Sequence, residues 1–187
     1  MKAHKFNNWG ILYNADRVDV DTQVFDHNKI DAIITDPPYD LEFLDLTWLT
    51  KGNIIMFCKP ENQYVVADEY SFWIKTPSTK NYSKKCGRFV EMILILRGEN
   101  SIFNPLHWSQ MTGVYDDRLV YKTIHPYQKP LSLMERLVRI YTNVGDTVYD
   151  PFTGSGTTAL ACKNLGRKFI GAEKNSEYFD IAVNRLK

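Results

Sequence analysis

The chain is 187 residues long, enough for one sizeable core and too short for two ordinary domains. Hydrophobic residues make up 44% and charged residues 24%, the balance of a soluble globular protein, and no apolar run approaches the roughly 20 residues that span a bilayer. A formal net charge of +1 does not announce a nucleic-acid partner, so any electrostatic footprint must be local.

In chain order, the start Met1-Lys2-Ala3-His4-Lys5-Phe6 lacks the apolar stretch of a signal peptide, which gives the expectation of an intracellular, cytoplasmic protein. Short apolar runs then alternate with amphipathic stretches, the pattern of an α/β domain built on a mostly parallel sheet. Strands are expected over residues 11–13, 30–35, 53–58, 72–75, 90–96, 147–149 and 169–171. Several read as continuous apolar runs, such as Ile54-Ile55-Met56-Phe57 and Met92-Ile93-Leu94-Ile95-Leu96, as strands covered on both faces by helices do.

Residues 75–88 hold Lys75, Lys80, Lys84, Lys85 and Arg88 with no acid among them. A nucleic-acid footprint and a solvated basic loop fit that charge pattern equally. Residues 98–124 carry Gly, Asn, Pro and aromatic residues without periodicity and read as an irregular insertion. A helix over 131–142 places Leu133, Met134, Leu137, Val138 and Tyr141 on one stripe behind Pro130. The helix over 157–165 ends at Gly166, and the helix over 176–186 takes Ser176 as its N-cap, with Phe179, Ala182, Val183 and Leu186 as its apolar face.

Two segments carry chemistry. Asp150-Pro151-Phe152-Thr153-Gly154-Ser155-Gly156-Thr157-Thr158 lies between a strand and a helix. A glycine-rich turn there lets the backbone approach a ligand closely, beneath the positive end of the helix. Glu173, at the end of the next strand, stands where an acid grips a ribose hydroxyl pair. A phosphate-cradling P-loop is disfavoured because no Gly-Lys-Ser/Thr closes the loop, so the site looks built for a nucleoside without phosphates. The second segment, Asp36-Pro37-Pro38-Tyr39, directly follows the apolar strand 30–35. Two prolines fix the backbone and remove two N–H donors, leaving the Asp36 carboxylate and the Pro37 carbonyl as acceptors at a strand's C-terminal end. Two acceptors can hold the hydrogens of an exocyclic amine and free its lone pair, while Tyr39 stacks on a base turned out of the duplex.

At these residues the sequence resembles the amino-group DNA methyltransferases. Asp36-Pro37-Pro38-Tyr39 matches that family's catalytic tetrapeptide, and the segment from Asp150 to Thr158 matches its cofactor loop. His125-Pro126-Tyr127-Gln128-Lys129-Pro130 is similar to the family's H-P-T-Q-K-P segment, with Tyr127 in place of Thr. The catalytic motif comes first and the cofactor loop last, as in the permuted beta group.

The resemblance implies a single Rossmann-like class I methyltransferase domain over residues 1–187, with a seven-stranded, mostly parallel sheet, one antiparallel strand and helices on both faces. It implies S-adenosyl-L-methionine as cofactor and DNA as substrate, with Asp36 and Pro37 holding the amine, Pro38 fixing the turn and Tyr39 stacking on the base. Asp36, Asp150, Pro151, Phe152, Gly154, Ser155, Gly156 and Thr157 would line the methionine part of the cofactor. Glu173 would take its ribose, Lys129 and Pro130 would close over its carboxylate end, and Asp16 would contact its adenine. Aspartate at the first motif position implies adenine N6, and none of Cys58, Cys86 or Cys162 follows a proline as cytosine C5 chemistry needs.

One departure bears on specificity. The family places a substantial target-recognition region before the His125 motif, and only the short segment 98–124 is available here. Each bidentate base contact supplies only about 1–3 kcal/mol of discrimination. Weak or very short sequence preference is expected, or a homodimer or other partner supplies specificity. The scattered cysteines and the lack of clustered His, Cys and Asp imply no metal. Two rivals stay open: an RNA or protein-glutamine methyltransferase, and a non-catalytic subunit of a modification complex. The motif order speaks against the protein-glutamine enzyme, and an intact Asp36 with an intact Gly154-Ser155-Gly156 speaks against the subunit.

Overall fold

The continuous apolar runs become the buried middle of one sheet in a computed structural model that describes residues 1–23, 30–38, 44–58, 66–75, 90–117 and 128–187. The strands are β1 (Lys2–Phe6), β2 (Gly10–Asn14), β3 (Ala32–Thr35), β4 (Asn53–Cys58), β5 (Glu69–Ile74), β6 (Val90–Arg97), β7 (Val114–Tyr115), β8 (Thr147–Asp150) and β9 (Lys168–Ala172). The helices are α1 (Arg17–Gln23), α2 (Leu131–Tyr141), α3 (Thr157–Asn164) and α4 (Ser176–Leu186). Across the sheet the strands run β1-β2-β9-β8-β3-β4-β6-β5-β7. The central β2, β9, β8, β3 and β4 are mutually parallel. β1 lies antiparallel on β2, and β6 runs antiparallel between β4 and β5.

This corrects the expected sheet of seven strands with one antiparallel: among the described residues it has nine, and two of them are antiparallel. The two extra strands close the ends of the sheet, where the hydrophobic pattern is weakest. β1 buries only Phe6 and is held by backbone pairing to β2, so its Lys-Ala-His-Lys composition looks like a tail. β7 is two residues long and pairs with Phe72 and Trp73 of β5. It lies inside the segment expected to be irregular, which also holds a 3-10 turn at Trp108–Gln110. Edge strands survive on backbone hydrogen bonds with little apolar surface, which is why they are hard to read.

Two apolar layers sandwich the sheet. On one face Leu12, Ile34, Ile55, Phe57 and Ile93 pack against Leu133 and Leu137 of α2, Ala159 and Cys162 of α3, and Phe179 and Leu186 of α4. On the other, Ile33, Ile54, Met56 and Leu94 pack with Val20 of α1 and with Leu44, Leu46 and Leu49. Helix α4 is capped by Asn175 rather than Ser176: the Asn175 side chain accepts from the backbone N–H groups of Glu177 (2.9 Å) and Tyr178 (3.2 Å). Ser176 instead donates to Asn14 at the end of β2 (3.1 Å). Among the described residues no helix is long and apolar enough to cross a membrane.

The parallel core has one consequence for function: β2, β3, β8 and β9 all end on the same edge. Helix α2 hangs its first turn over that edge and is held there by its apolar stripe. Truncating the fully buried Leu137 to Ala should therefore cost about 2–5 kcal/mol of unfolding free energy in urea titration. A loss below about 1 kcal/mol would mean that the α2 stripe is not what anchors the helix.

Candidate active site

A cleft of about 990 Å³ opens on the edge where the parallel strands end. The turn after β3 supplies Asp36, Pro37 and Pro38, and the loop after β8 supplies residues from Asp150 to Ser155. The end of β9 supplies Glu173, the start of α1 supplies Asp16, and the approach to α2 supplies Lys129. Segments far apart in the chain thus share one cavity.

The loop is braced from beneath. The Asp150 carboxylate, 2% exposed, accepts from Thr35 Oγ1 at 2.7 Å and from the Phe152 N–H at 3.1 Å. Thr35 is the last residue of β3, so this bond ties the strand that carries Asp36 to the one that carries the loop. Gly154 (φ 52°) and Gly156 (φ 78°) take left-handed conformations that favour glycine, and they turn the chain into α3. The Gly154 N–H donates to Glu173 at 2.8 Å, and the Asn175 N–H donates to its other oxygen at 2.8 Å. From α4, the Arg185 guanidinium donates to the Ser155 carbonyl (3.1 Å) and to Thr157 Oγ1 (2.9 Å).

Burial pushes the Asp150 carboxyl up to about 6, against the pull of its hydrogen bonds from Thr35 and Thr158. Burial also raises Glu173, in spite of two backbone donors. Asp16 goes the other way: its ion pair with Lys174 at 2.9 Å and a bond from the Val18 N–H hold it below the usual carboxylate range.

At the mouth, Asp36 is 22% exposed and one of its oxygens, Oδ2, contacts the Lys129 ammonium. Its other oxygen, Oδ1, is enclosed and accepts no hydrogen bond from the described residues; the same holds for Gln128 Oε1 in the wall of the cleft. Burial raises the Asp36 carboxyl and nearby Glu91 raises it further, while Lys129 pulls it back. Burial would lower the Lys129 ammonium, but Asp36 and Glu91 outweigh it and lift it above its ordinary value.

Of the residues singled out in the sequence, the cleft brings together Asp16, Asp36, Pro37, Pro38, Lys129, Asp150, Pro151, Phe152, Gly154, Ser155, Thr157 and Glu173. Pro130 is buried behind Lys129 as the residue before α2, and Gly156 is packed against Ala182 of α4 behind the loop. Lys75 turns inward onto Glu91 and lies over the Trp73 ring. Tyr39, Lys80, Lys84, Lys85, Arg88 and His125 lie outside the described residues. Sequence reasoning missed Thr35, Arg185, Gln128 and Glu91. Thr35 carried a signal, being the one polar residue of the strand Ala32–Thr35.

The high Asp150 value has a measurable consequence. Its ordinary value is 3.8, so between about pH 4 and 6 the folded chain keeps a proton that the unfolded chain releases. The stability that Asp150 contributes therefore falls as pH rises through that window. Asp150→Asn should unfold with a shallower pH dependence there and gain about 1–3 kcal/mol at neutral pH relative to the parent. Urea unfolding across pH 4 to 8 reads it, and parallel curves for the two proteins would remove Asp150 as the titrating group.

Known proteins share these features. The family model described as DNA methylase (N6_N4_Mtase) matches residues 50–184, a stretch that takes in α2, the glycine loop and Glu173 and begins after Asp36. The chain is 44% identical over 96 residues to the Type II methyltransferase M.HindIII of Haemophilus influenzae, a match covering 47% of this chain and 30% of that protein. It is 51% identical over 63 residues to the Type II methyltransferase M2.DpnII of Streptococcus pneumoniae, covering 34% of this chain and 24% of that one. The chain thus covers less than a third of the length of these curated relatives. Among solved structures, the M1.HpyAVI–SAM complex superposes with a TM-score of 0.73 at 35% identity, over 93% of this chain and 98% of that one. The cytosine-N4-specific PvuII DNA methyltransferase superposes at 0.75 over 96% of this chain and 86% of that one; at 16% identity it attests the fold alone. The family match runs through most of the chain and through the cleft residues from Gln128 to Tyr178, and the chain belongs to the DNA methylase family.

Proposed function

We propose that the chain transfers a methyl group from S-adenosyl-L-methionine to N6 of adenine in DNA, with the target base turned out of the duplex. The observation that carries the cofactor half is the charge state of the cleft. Every described basic side chain lining it is already paired with a carboxylate: Arg17 with Asp21 (2.7 Å), Lys174 with Asp16 (2.9 Å), and Lys129 with Asp36. Among the described residues, the cleft therefore has no spare cation for a phosphate. It keeps acceptors in hand, namely Glu173, Asp36 Oδ1 and Gln128 Oε1, which suit a cationic, phosphate-free nucleoside. When bound, the cofactor supplies a methyl made electrophilic by its sulfonium.

The chain's own groups do the rest. Glu173, rigid through its bonds to the Gly154 and Asn175 amides, is placed for the ribose hydroxyls, and Asp16 for the adenine end. Asp36 Oδ1 and the Pro37 carbonyl accept the two N–H bonds of the target amine and draw its lone pair out of conjugation with the ring. Aspartate at this position is what assigns adenine over cytosine, and Tyr39 is assigned the stacking partner of the turned-out base. Lys80, Lys84, Lys85 and Arg88 are assigned to the flanking phosphates, which set affinity without reading sequence.

Sequence preference is expected to be short. Of the segment between β6 and α2, Asn104 packs at the far end of α2, donating to the Ile140 carbonyl (2.7 Å). Asp117 reaches the start of α2, where it meets Ser132 and Arg136, and the Tyr115 ring lies against the same Arg136 (5.2 Å). The segment is short, so few side chains are available to read base edges, and a second copy or another subunit would supply any longer recognition.

Incubation with labelled cofactor and mixed-sequence DNA, followed by nucleoside mass spectrometry, should find N6-methyladenine; N4-methylcytosine or no product would overturn the reading. Asp36→Ala should lose about 100- to 1,000-fold in turnover, the scale of one preorganised acceptor, while still binding cofactor. Glu173→Ala should weaken cofactor binding by at least about tenfold, since charge-assisted bonds are worth about 1.5–3 kcal/mol each. Calorimetry showing unchanged affinity would demote Glu173 to a brace for the loop.

A further inference from the structure

The proposed chemistry makes no use of Glu91. It is an acid in a strand that is apolar apart from it and the terminal Arg97, with its side chain 9% exposed, where a charge is costly unless something requires it. It stands between two ammonium groups: Lys75 at the end of β5, and Lys129, whose Nζ is 3.2 Å from Glu91 Oε2. Lys129 in turn holds Asp36. Four charges of alternating sign therefore run from Lys75 through Glu91 and Lys129 to Asp36, and the third lies over the rings of Phe57 (4.9 Å) and Trp73 (5.9 Å).

We propose that Glu91 is a positioning residue for methyl transfer, anchoring Lys129 so that its ammonium engages only one oxygen of Asp36 and leaves Oδ1 uncommitted as the acceptor for the target amine. The inference rests on the transferase reading above.

The geometry supports this in three ways. Lysine is a point charge on a flexible four-carbon stem, and its ammonium takes no fixed direction unless several partners impose one. Glu91 imposes it from a rigid place: β6 is hydrogen-bonded on both sides, and Glu91 lies opposite Trp73 in the register with β5. The two rings close the ammonium off from a third side. Released from Glu91, a buried ammonium would turn wholly to Asp36 and compete for both of its oxygens. Nor is the cluster explained by stability, because buried ion pairs often do no better than apolar residues of similar volume.

The test is a double-mutant cycle of Glu91→Gln and Lys129→Met, with kcat measured on DNA and cofactor affinity measured separately. Glu91→Gln should lower kcat by about tenfold or more, the size of one charge-assisted hydrogen bond, with the cofactor Kd within about threefold of the parent. In the Lys129→Met background the same substitution should change kcat by less than about twofold, because the intermediary is gone. Glu91→Asp, which restores the charge, should recover at least about a third of the lost kcat. A folded Glu91→Gln with parental kcat, or losses that multiply across the cycle, would overturn the proposal.

Should Glu91→Gln alone fail to fold, the comparison of Lys129→Met with the double variant decides, and a further loss of about tenfold in the double overturns the proposal. A readout independent of turnover separates this inference from the reading beneath it. The side-chain ammonium NMR signal of Lys129, identified by its loss in Lys129→Met, should be sharp in the parent and broadened away in Glu91→Gln. A parent with that signal but no methyl transfer refutes the transferase reading, whereas an equally sharp signal in Glu91→Gln refutes the positioning role.

Discussion

The parallel pairing of β3 with β8 is the constraint on which the site depends. Ala32 and Ile33 face Val148 and Tyr149 in register, which brings the ends of both strands to one edge, and Thr35 then closes a buried 2.7 Å bond onto Asp150. Asp36 and the glycine loop, more than a hundred residues apart in the chain, become neighbours by that pairing alone. Parallel strands need long crossovers, and here the crossover from β3 to β8 contains β4 to β7 and α2. The same connection returns Lys129 to the cleft just before α2 starts. An antiparallel arrangement of those two strands would have sent the two motifs to opposite edges.

Charge is placed around that edge with similar economy. Among the described residues, carboxylates outnumber the cations that line the cleft, and each of those cations is engaged by an acid, a balance that favours a positive group over a phosphate. The cost appears in the carboxyls themselves: Asp150, Glu173 and Asp36 all sit above the usual carboxylate range because burial outweighs their donors. A site evolved only for stability would not hold three such groups together. Function retains them, and the two apolar layers of the sheet carry the stabilisation instead.

Much of this was legible in the sequence because it is local. A buried strand followed by two prolines, or a strand, glycine turn, helix and acid in order, leaves its mark within a few consecutive residues. The unread parts are those in which the deciding partner lies far away. Glu91 looks like an ordinary charge near the start of a strand until Lys129, on another element, is seen beside it. Arg185 is one of several polar residues on α4, and nothing near it in the chain shows that Ser155 and Thr157 receive it. The ends of the sheet were lost for a different reason: β1 and β7 are held by backbone bonds, which every residue type can make. Asn175 took the cap expected of Ser176 because Ser176 was drawn to Asn14, again a contact with a distant strand.

The same distinction explains why catalysis can be read further than target choice. Methyl transfer needs a few groups at fixed strand ends, and strand ends are placed by the most strongly patterned part of the chain. Base readout needs side chains on the rim, and part of the short segment available for it goes into closing the fold. Asn104 satisfies carbonyls of Arg139 and Thr142 at the far end of α2, β7 extends the sheet beyond β5, and the Asp117 carbonyl takes the Trp73 indole N–H at 2.8 Å. Residues committed to such bonds cannot also swing out to a groove. A rim whose described residues are engaged in this way suits shape and phosphate contacts better than a long base-specific code, in line with the short sequence preference proposed above.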